Sequence, residues 1–273
     1  QGLIGASVLA SGTTGIIFAT LLGVIFTQSN MPEWAWRIPF WIGLIIGAIG
    51  IYIRYSLIES SEFLSYRQKH TPLQQINELL KYSKAFFCTI GIGAVNSVFV
   101  YTLIVYFNIY LNQFADYSIS HSLFYSHIGL VMCLFTVPVM GYISDKVTYQ
   151  KVMKSACLAG FLGAFLIPYF LNIQFFIGAI INLVLIISAF NGPTPAFLNN
   201  LFPANIRYTG ISVGFSLGTA FFGGSCPLIY TFLTNYFESA FALTPCILLI
   251  SGIGYLSVTI GSKQRDNKIN LMN

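Results

Sequence analysis

Charge is what this sequence has least of. Only 8% of its 273 residues are Asp, Glu, Lys or Arg, whereas soluble domains average about 25%. Hydrophobic residues make up 56% of the chain, and the mean hydropathy is +0.75. This composition excludes a soluble globular domain and indicates a chain that lies in lipid.

Motifs for enzyme chemistry, metal binding and nucleotide binding are also missing. The sequence contains no nucleophile–base pair, no metal-ligand spacing and no GxxxxGK[ST] phosphate loop. Its five cysteines lie in apolar segments without C-x-x-C spacing, and we interpret them as small buried hydrophobic residues: Cys88, Cys133, Cys157, Cys226 and Cys246. We therefore expect no enzyme, no metal site and no cofactor. The net charge of +5 is spread over the ends of apolar runs, which does not indicate a nucleic-acid partner.

Long apolar runs dominate what is present. A helix needs about 20 apolar residues to cross roughly 30 Å of hydrocarbon. Eight runs are long enough: residues 3–27, 37–57, 86–111, 122–142, 153–171, 175–198, 209–233 and 241–261. The sequence predicts an all-α, multi-pass integral membrane protein with about eight transmembrane helices and the lipid bilayer as a partner.

The basic residues alternate between loops. All Lys and Arg residues except Arg37 lie in the loops after the second, fourth and sixth runs, at the run ends beside these loops, or in the tail. The other loops contain Glu33, Asp116 and Glu238. Because basic residues are retained on the cytoplasmic side of a membrane, we expect both termini to be cytoplasmic.

The polar residues inside the runs are neutral, since no Asp, Glu, Lys or Arg lies in the middle of any run. In the third run, Asn96, Phe99, Leu103, Tyr106 and Tyr110 recur at helical spacing and share one face. The other candidates for a substrate cavity are hydroxyls and amides in the first and sixth runs: Thr13, Thr14, Asn182 and Asn191. Interhelical packing and hydrogen bonding account for the same residues, and both interpretations stay open.

Two further features of the runs carry expectations. Pro193 and Pro195 remove backbone donors near the end of the sixth run, which predicts a kink or break there. His127 is the only histidine within a run; it can titrate near neutral pH or serve as a hydrogen-bonded structural residue.

Three stretches carry a family resemblance. They are Trp36-Arg37-Ile38-Pro39-Phe40, Glu59-Ser60-Ser61-Glu62-Phe63 after the next glycine-rich run, and Asn200-Leu201-Phe202-Pro203 continuing to Arg207-Tyr208-Thr209-Gly210. Together they resemble the metabolite:proton symporters, a branch of the major facilitator superfamily that includes proline/betaine, citrate, 2-oxoglutarate and shikimate transporters. Ser61 stands where this branch commonly has proline, and Asn200 where it usually has Glu.

The resemblance also implies a cytoplasmic gate. Residues 141–146 match the superfamily loop signature G-x-x-x-D-[RK]. The gate would comprise Gly141, Asp145, Lys146 and Arg207, and the pseudo-symmetry of the superfamily implies that Asp145 faces the start of the first run. A carboxylate at such a position can cap the positive N-terminus of a neighbouring helix. The signature usually continues G-R-R, whereas this chain has Thr148-Tyr149-Gln150, so the basic half of the gate is weakened or displaced.

The resemblance implies a domain organisation with part of the superfamily fold missing. Residues 1–58 would be the last two helices of the N-terminal bundle, and 59–84 the central cytoplasmic loop with an amphipathic helix. Residues 85–262 would be the six-helix C-terminal bundle, and 263–273 a cytoplasmic tail. The first four helices of the fold would be absent, and a separate segment is one source of them.

The expected function is secondary active transport in the bacterial cytoplasmic (inner) membrane. The resemblance implies proton-coupled symport of a small osmolyte or metabolite by alternating access, driven by the proton gradient. The aromatic content favours proline or glycine betaine, because ring faces attract a methylated cation by about 0.5–2 kcal/mol. Two alternatives stay open: a transporter for carboxylates (citrate, 2-oxoglutarate or shikimate), and a truncated remnant that inserts into the membrane without transporting.

Overall fold

The computed structural model describes residues 1–26, 31–56, 78–79 and 81–270 of the chain. Within these ranges the regular secondary structure is helical throughout. The α-helices are α1 Gly2–Phe26, α2 Ile38–Ser56, α3 Ser83–Tyr101, α4 Phe107–Gln113, α5 Ile119–Val147, α6 Tyr149–Asn172, α7 Phe176–Asn191, α8 Thr194–Asn199, α9 Ala204–Gly218, α10 Gly224–Phe237 and α11 Thr244–Asn270. Short π turns, Thr102–Tyr106 and Thr219–Gly223, join α3 to α4 and α9 to α10.

These helices form eight segments, within the described residues, that are long and apolar enough to cross a membrane. The segments are Gly2–Gly23, Ala35–Ser56, Ser83–Gln113, His121–Val147, Tyr149–Asn172, Phe176–Asn199, Ala204–Phe237 and Ala240–Lys263. Each overlaps one run predicted from hydropathy. The prediction of an all-α, multi-pass membrane protein is confirmed.

The interior of the bundle is formed by the segments that contain α3 and α7. Both are largely buried, and their side chains make up much of one continuous apolar core. In contrast, α2 contains no buried residue. Between these extremes, α1 packs along α5 and buries Ala6 and Ala10. The helix α1 is therefore the element that connects the first part of the chain to the core of the rest.

The sixth segment breaks where its two prolines predict. Helix α7 ends at Asn191, and the chain resumes a helix at Thr194 as α8. Gly192, between the two helices, lies against α5: a Cβ atom added to it would be 2.6 Å from the backbone nitrogen of Gly141. Because Gly192 has no side chain, α7 and α5 approach each other at the break more closely than a Cβ atom would allow.

Two predicted segments differ in how much of them the structure covers. The amphipathic helix and most of the central loop, residues 59–84, lie outside the described residues. At the other end, α11 continues to Asn270, so the segment predicted as a solvated tail, 263–273, is helical as far as residue 270.

Candidate functional site

Helices α1, α3, α5 and α7, with the π turn after α3, enclose a cavity of about 110 Å³, here called the central cavity. Its lining is mostly aliphatic, and among the described residues it includes no Asp, Glu, Lys or Arg: Leu9, Thr13, Ile16, Asn96, Val100, Leu103, Ile104, Leu130, Cys133, Val137, Ile187 and Asn191. Two amides, one hydroxyl and one thiol are its polar groups. Such a cavity suits a ligand without net charge, because no side chain is present to neutralise an unpaired one.

Asn191 is a residue of the cavity lining whose side-chain oxygen has no hydrogen-bond partner among the described residues. It is the last residue of α7, is 9% exposed, and its Oδ1 atom is buried without a hydrogen-bond partner in the described part of the chain. Leaving a buried acceptor unpaired costs about 1–3 kcal/mol. An N–H or O–H donor that reached this oxygen would remove this cost.

Asn96 connects the central cavity to a second one. The second cavity, of about 230 Å³, lies between α8 and α9. Leu9 and Asn96 line both cavities, so they lie at the boundary between them. Asn96 is half-buried, and its amide can therefore contact a ligand in either cavity.

The other candidates from the first and sixth segments are placed differently from one another. Thr13 lines the central cavity, and its hydroxyl lies 3.4 Å from the Leu9 carbonyl oxygen. Thr14 is exposed and donates its hydroxyl to the carbonyl of Ala10 at 3.2 Å. The Oδ1 atom of Asn182 faces α6, where it would be 2.8 Å from a Cβ atom added to Gly163. Of the four candidates in these two segments, Thr13 and Asn191 line the central cavity, and Thr14 and Asn182 do not.

The three aromatic candidates of the third segment lie away from the central cavity. Phe99 is buried with its ring tip toward Gly160 of α6. The hydroxyl of Tyr106 is 2.8 Å from that of Thr234, and the Tyr110 ring stacks on Phe114 at 5.5 Å between centroids. The π turn that contains Tyr106 holds one extra residue, which rotates the following side chains by roughly 100° relative to an uninterrupted α-helix.

The predicted helix face and the observed cavity wall share Asn96 and Leu103 only. The wall also includes Val100 and Ile104, which the search for polar and aromatic residues missed because both are aliphatic. Their positions, four residues apart and starting four residues after Asn96, carry a helical signal, but any buried face of this segment has the same spacing.

At one end of α1, the carboxylate of Asp145 caps the helix. Its Oδ1 accepts from the backbone N–H of Gly2 at 2.8 Å, and its Oδ2 accepts from that of Leu3 at 3.0 Å. The nitrogen of Gln1 lies 3.1 Å from Oδ1. A negative charge at a helix N-terminus pairs with unbonded N–H groups and with the positive end of the helix dipole. The structure thus places Asp145 at the start of α1, where the resemblance implied it.

Tyr149 is a member of this cluster that sequence reasoning missed. It stands where the superfamily signature has its first Arg, and its hydroxyl donates to Asp145 Oδ1 at 3.0 Å. Its only signal in the sequence was its position in the altered G-R-R stretch, which we interpreted as a weakened or displaced basic half of the gate. A phenol can donate one hydrogen bond to the carboxylate without adding a charge.

Gly141 allows the two helices to meet beside this cap. A Cβ atom added to Gly141 would be 2.5 Å from the Cβ of Ala6 and 2.8 Å from the carbonyl oxygen of Gly2. Only glycine permits this approach without displacing α1 from α5.

The two cations of the expected gate do not take part in the cap. Lys146 is exposed, with its Nζ 4.5 Å from the centroid of the Tyr142 ring on its own helix. Arg207 donates from Nε to the carbonyl of Phe202 at 3.4 Å. Asn200, which replaces the usual Glu, donates to the carbonyl of Ala196 at 2.8 Å. The cap at the start of α1 therefore consists of Asp145, Tyr149 and backbone N–H groups.

Comparison with known proteins identifies the family. The family model of the Major Facilitator Superfamily matches residues 1–226. The chain is 26% identical to a proline/betaine transporter of Salmonella typhimurium over 98% of its own length and 55% of that relative. It is 26% identical to a proline/betaine transporter of Escherichia coli and 27% identical to a glycine betaine/proline/ectoine/pipecolic acid transporter of Dickeya dadantii, over 94% of this chain and 53% of each relative.

The chain spans about half the length of the curated relatives it matches. Eight membrane-crossing helices, a capped contact between α1 and α5, and a family match over most of the chain agree with one another. This integral membrane protein belongs to the Major Facilitator Superfamily, and its relatives are proline/betaine-type transporters.

Proposed function

We propose that this chain forms about half of a proton-coupled symporter that takes up proline or a similar small zwitterion by alternating access. The observation that carries the proposal is the buried, unpaired Oδ1 of Asn191 in a cavity whose described lining holds no ionised side chain.

Proline matches the central cavity better than the other substrate classes. It has no net charge, its ammonium group carries N–H donors for Asn191, and its carboxylate can accept from the amide of Asn96. Glycine betaine has no N–H donor, and no aromatic ring lines the central cavity among the described residues, so the cation–π argument for betaine loses its support. A di- or tricarboxylate would need a cation that this lining does not provide.

The contact between Asp145 and α1 supports alternating access. By the resemblance, α1 belongs to the first bundle and α5 to the second, and transporters of this type rock two bundles about a site near the middle of the membrane. Under the proposal, the Asp145 cap holds the bundles together on one side of the central cavity and separates when that side opens.

The proposal also includes the orientation of the chain and the membrane in which it lies. The basic loops indicate that the Asp145 end and both termini face the cytoplasm, in a bacterial cytoplasmic membrane. The relatives are about twice as long, so the proposal includes a further helical segment, on the same or a separate polypeptide, that completes the transporter.

Uptake of radiolabelled proline and glycine betaine tests the proposal, in transporter-deficient cells with and without a proton uncoupler. We expect uncoupler-sensitive proline uptake that falls about tenfold or more in Asn191→Leu, since the variant removes the acceptor at similar volume. Asn182→Leu is the matched control, because its Oδ1 is also buried and unpaired but faces α6. Uptake of betaine but not proline would overturn the argument from Asn191.

The remnant interpretation predicts a different result from the same cells. The observation in its favour is that α2 has no buried residue. If the protein inserts but neither substrate enters, even when a segment corresponding to the first half of the relatives is co-expressed, the proposed transport function fails and the remnant interpretation is favoured.

A further inference from the structure

The surface of the bundle carries a groove where α3 and α11 pack against each other, here called the α3–α11 groove. Its volume is about 290 Å³. Its lining is apolar except for one amine, one hydroxyl and one thiol: Lys84, Phe87, Cys88, Ile253, Leu256, Ser257 and Ile260. Phe87 is 68% exposed and Leu256 is 61% exposed, although both belong to membrane-crossing segments. The groove therefore offers apolar surface that nothing in the described chain covers.

The α3–α11 groove faces away from the central cavity. Phe87 lines the groove, and Asn96 of the same helix lines the central cavity. The two residues are nine positions apart, which places them on opposite sides of a helix that turns by about 100° per residue. The groove therefore lies on the outer surface of the bundle, where a membrane protein meets lipid.

Close contacts fix how the two helices run. A Cβ atom added to Gly91 of α3 would clash with the hydroxyl of Ser257 on α11, and one added to Gly254 would be 2.8 Å from Cγ2 of Val95. The residue numbers rise on α3 as they fall on α11, so the helices are antiparallel. The start of α3 and the end of α11 therefore lie at the same end of the groove.

Both walls of the groove end in a lysine at that end. On α3, Lys84 lies three residues before Phe87 and is itself part of the lining. On α11, Lys263 lies three residues after Ile260 and seven after Leu256, so it continues the helix face that lines the groove. Both lysines are exposed. One end of an apolar groove is thus positively charged.

The carboxylates described on this side of the bundle have partners elsewhere. Asp145 caps α1, and Glu78 accepts a hydrogen bond from the amide of Asn205 at 2.9 Å. Among the described residues, neither Lys84 nor Lys263 forms an ion pair. The positive charge at the end of the groove is therefore left for an anion.

The length of the groove matches one leaflet of a bilayer. From Ile253 to Lys263 a helix rises about 15 Å, which is half of the roughly 30 Å hydrocarbon core. An acyl chain of one leaflet can therefore lie along the groove while its headgroup reaches the lysines. Lysine side chains near helix ends extend to the headgroup region in the same way.

We propose that the α3–α11 groove binds one anionic phospholipid. Its acyl chain lies along Phe87, Leu256 and Ile260, and its phosphate lies between the ammonium groups of Lys84 and Lys263. A zwitterionic phospholipid can fill the same groove with its chain, but its own cation competes with the lysines, so the lysines select for a net negative headgroup. This binding does not depend on the proposed transport function.

Native mass spectrometry of the purified, full chain in detergent micelles tests the headgroup contact. The probes are phosphatidylglycerol and phosphatidylcholine with identical acyl chains. We expect phosphatidylglycerol to bind more tightly, and its affinity to fall about fivefold in Lys84→Gln or Lys263→Gln, the contribution of one lysine near an anionic lipid surface. Affinity for phosphatidylcholine should change little in these variants.

Lys151→Gln is the matched control for the loss of charge. Lys151 is exposed near the start of α6, on the same side of the membrane by the charge of the loops, and does not line the groove. We expect this variant to bind phosphatidylglycerol as the parent does. An equal loss in Lys151→Gln would show a general effect of net charge and would overturn the assignment to the groove.

A second pair of variants tests the acyl chain. Leu256→Asn places a polar side chain in the groove, and we expect phosphatidylglycerol affinity to fall about three- to tenfold because apolar contact is lost. Leu249→Asn is the control, since Leu249 is on the same helix and 62% exposed but lies outside the groove. Equal affinities of the two variants would contradict the placement of the chain.

Two other occupants would give different spectra. Inorganic phosphate at the concentration of the lipid should not displace it, and displacement would overturn the proposal in favour of a site for a free anion. A dimer that Leu256→Asn dissociates would mean that a second copy of the chain covers the groove, and would overturn it as well.

Discussion

The contact between α1 and α5, here called the α1–α5 seam, runs from Gly2 and Asp145 at one end to Thr20 and His127 at the other. Its two ends hold the same pair of helices by different means. At one end, Asp145 accepts hydrogen bonds from two backbone N–H groups of α1 and from Tyr149. At the other, His127 and Thr20 share a single contact. The comparison indicates a contact of several hydrogen bonds at one end of the cavity and a single hydrogen bond at the other.

Gly141→Ala should have the largest effect on this comparison. The added Cβ would meet Ala6 and Gly2 at the Asp145 end, and overpacking of this kind costs about 1–3 kcal/mol of the free energy of unfolding. Thermal unfolding of the purified protein in detergent measures the change.

Gly12→Ala is the matched control for that variant. No atom lies within 4 Å of a Cβ added to Gly12, and alanine favours a helix over glycine by about 1 kcal/mol. Opposite signs of the two changes are expected; equal effects would show that α1 and α5 do not meet at Gly141.

Asp145→Ala should destabilise the protein by about 1–2 kcal/mol, the usual worth of a helix cap with its charge. The same unfolding assay reports it. Lys146→Ala, one residue along, is expected to change stability by less than about 0.5 kcal/mol because the lysine is exposed and its Nζ lies over the ring of Tyr142. A larger effect from Lys146 than from Asp145 would reverse our assignment of the contact.

Thr148→Gly should stabilise the Asp145 end by about 1 kcal/mol. Thr148 has φ 155° and ψ 137°, a region that side chains with a Cβ avoid, and it stands where the superfamily signature has glycine. Thr148→Ala keeps the Cβ and should bring no gain. If alanine stabilises as much as glycine, backbone strain at Thr148 is not the cause.

Thr20→Val should have the smallest effect on stability, a loss of about 0.5–1 kcal/mol. Only one hydrogen bond crosses the seam at this end, whereas Asp145 receives several. A loss that matches or exceeds that of Asp145→Ala would remove the contrast between the two ends.

Residues of the candidate site show how far sequence reasoning reached. The polar candidates Asn96, Thr13 and Asn191 line the central cavity. The aromatic candidates Phe99, Tyr106 and Tyr110, which share the helical spacing of Asn96, lie elsewhere. Polarity marks a residue that needs a partner in lipid, but a neighbouring helix supplies that partner as well as a substrate does. The π turn after α3 added a rotation that no spacing rule includes.

The sequence predicted the contacts of some residues of the expected gate and not those of others. The position of Asp145 opposite the start of α1 was implied by a local motif together with family symmetry. The substitution of Tyr149 for a basic residue indicated a weakened contact, yet its hydroxyl lies within hydrogen-bonding distance of the carboxylate. The partners of Lys146 and Arg207 depended on local geometry that the motif does not specify.

The sequence by itself determined the membrane spans, their order and the expected orientation, because hydrocarbon thickness demands a fixed length of apolar helix and basic residues mark the loops. The tertiary structure alone decided which side chains share the cavity and which residues close the α1–α5 seam. Thr20 and His127 lie more than 100 residues apart in the chain. They meet only because close contacts at Gly2 and Gly141 set the register of two antiparallel helices, and no local pattern encodes that register.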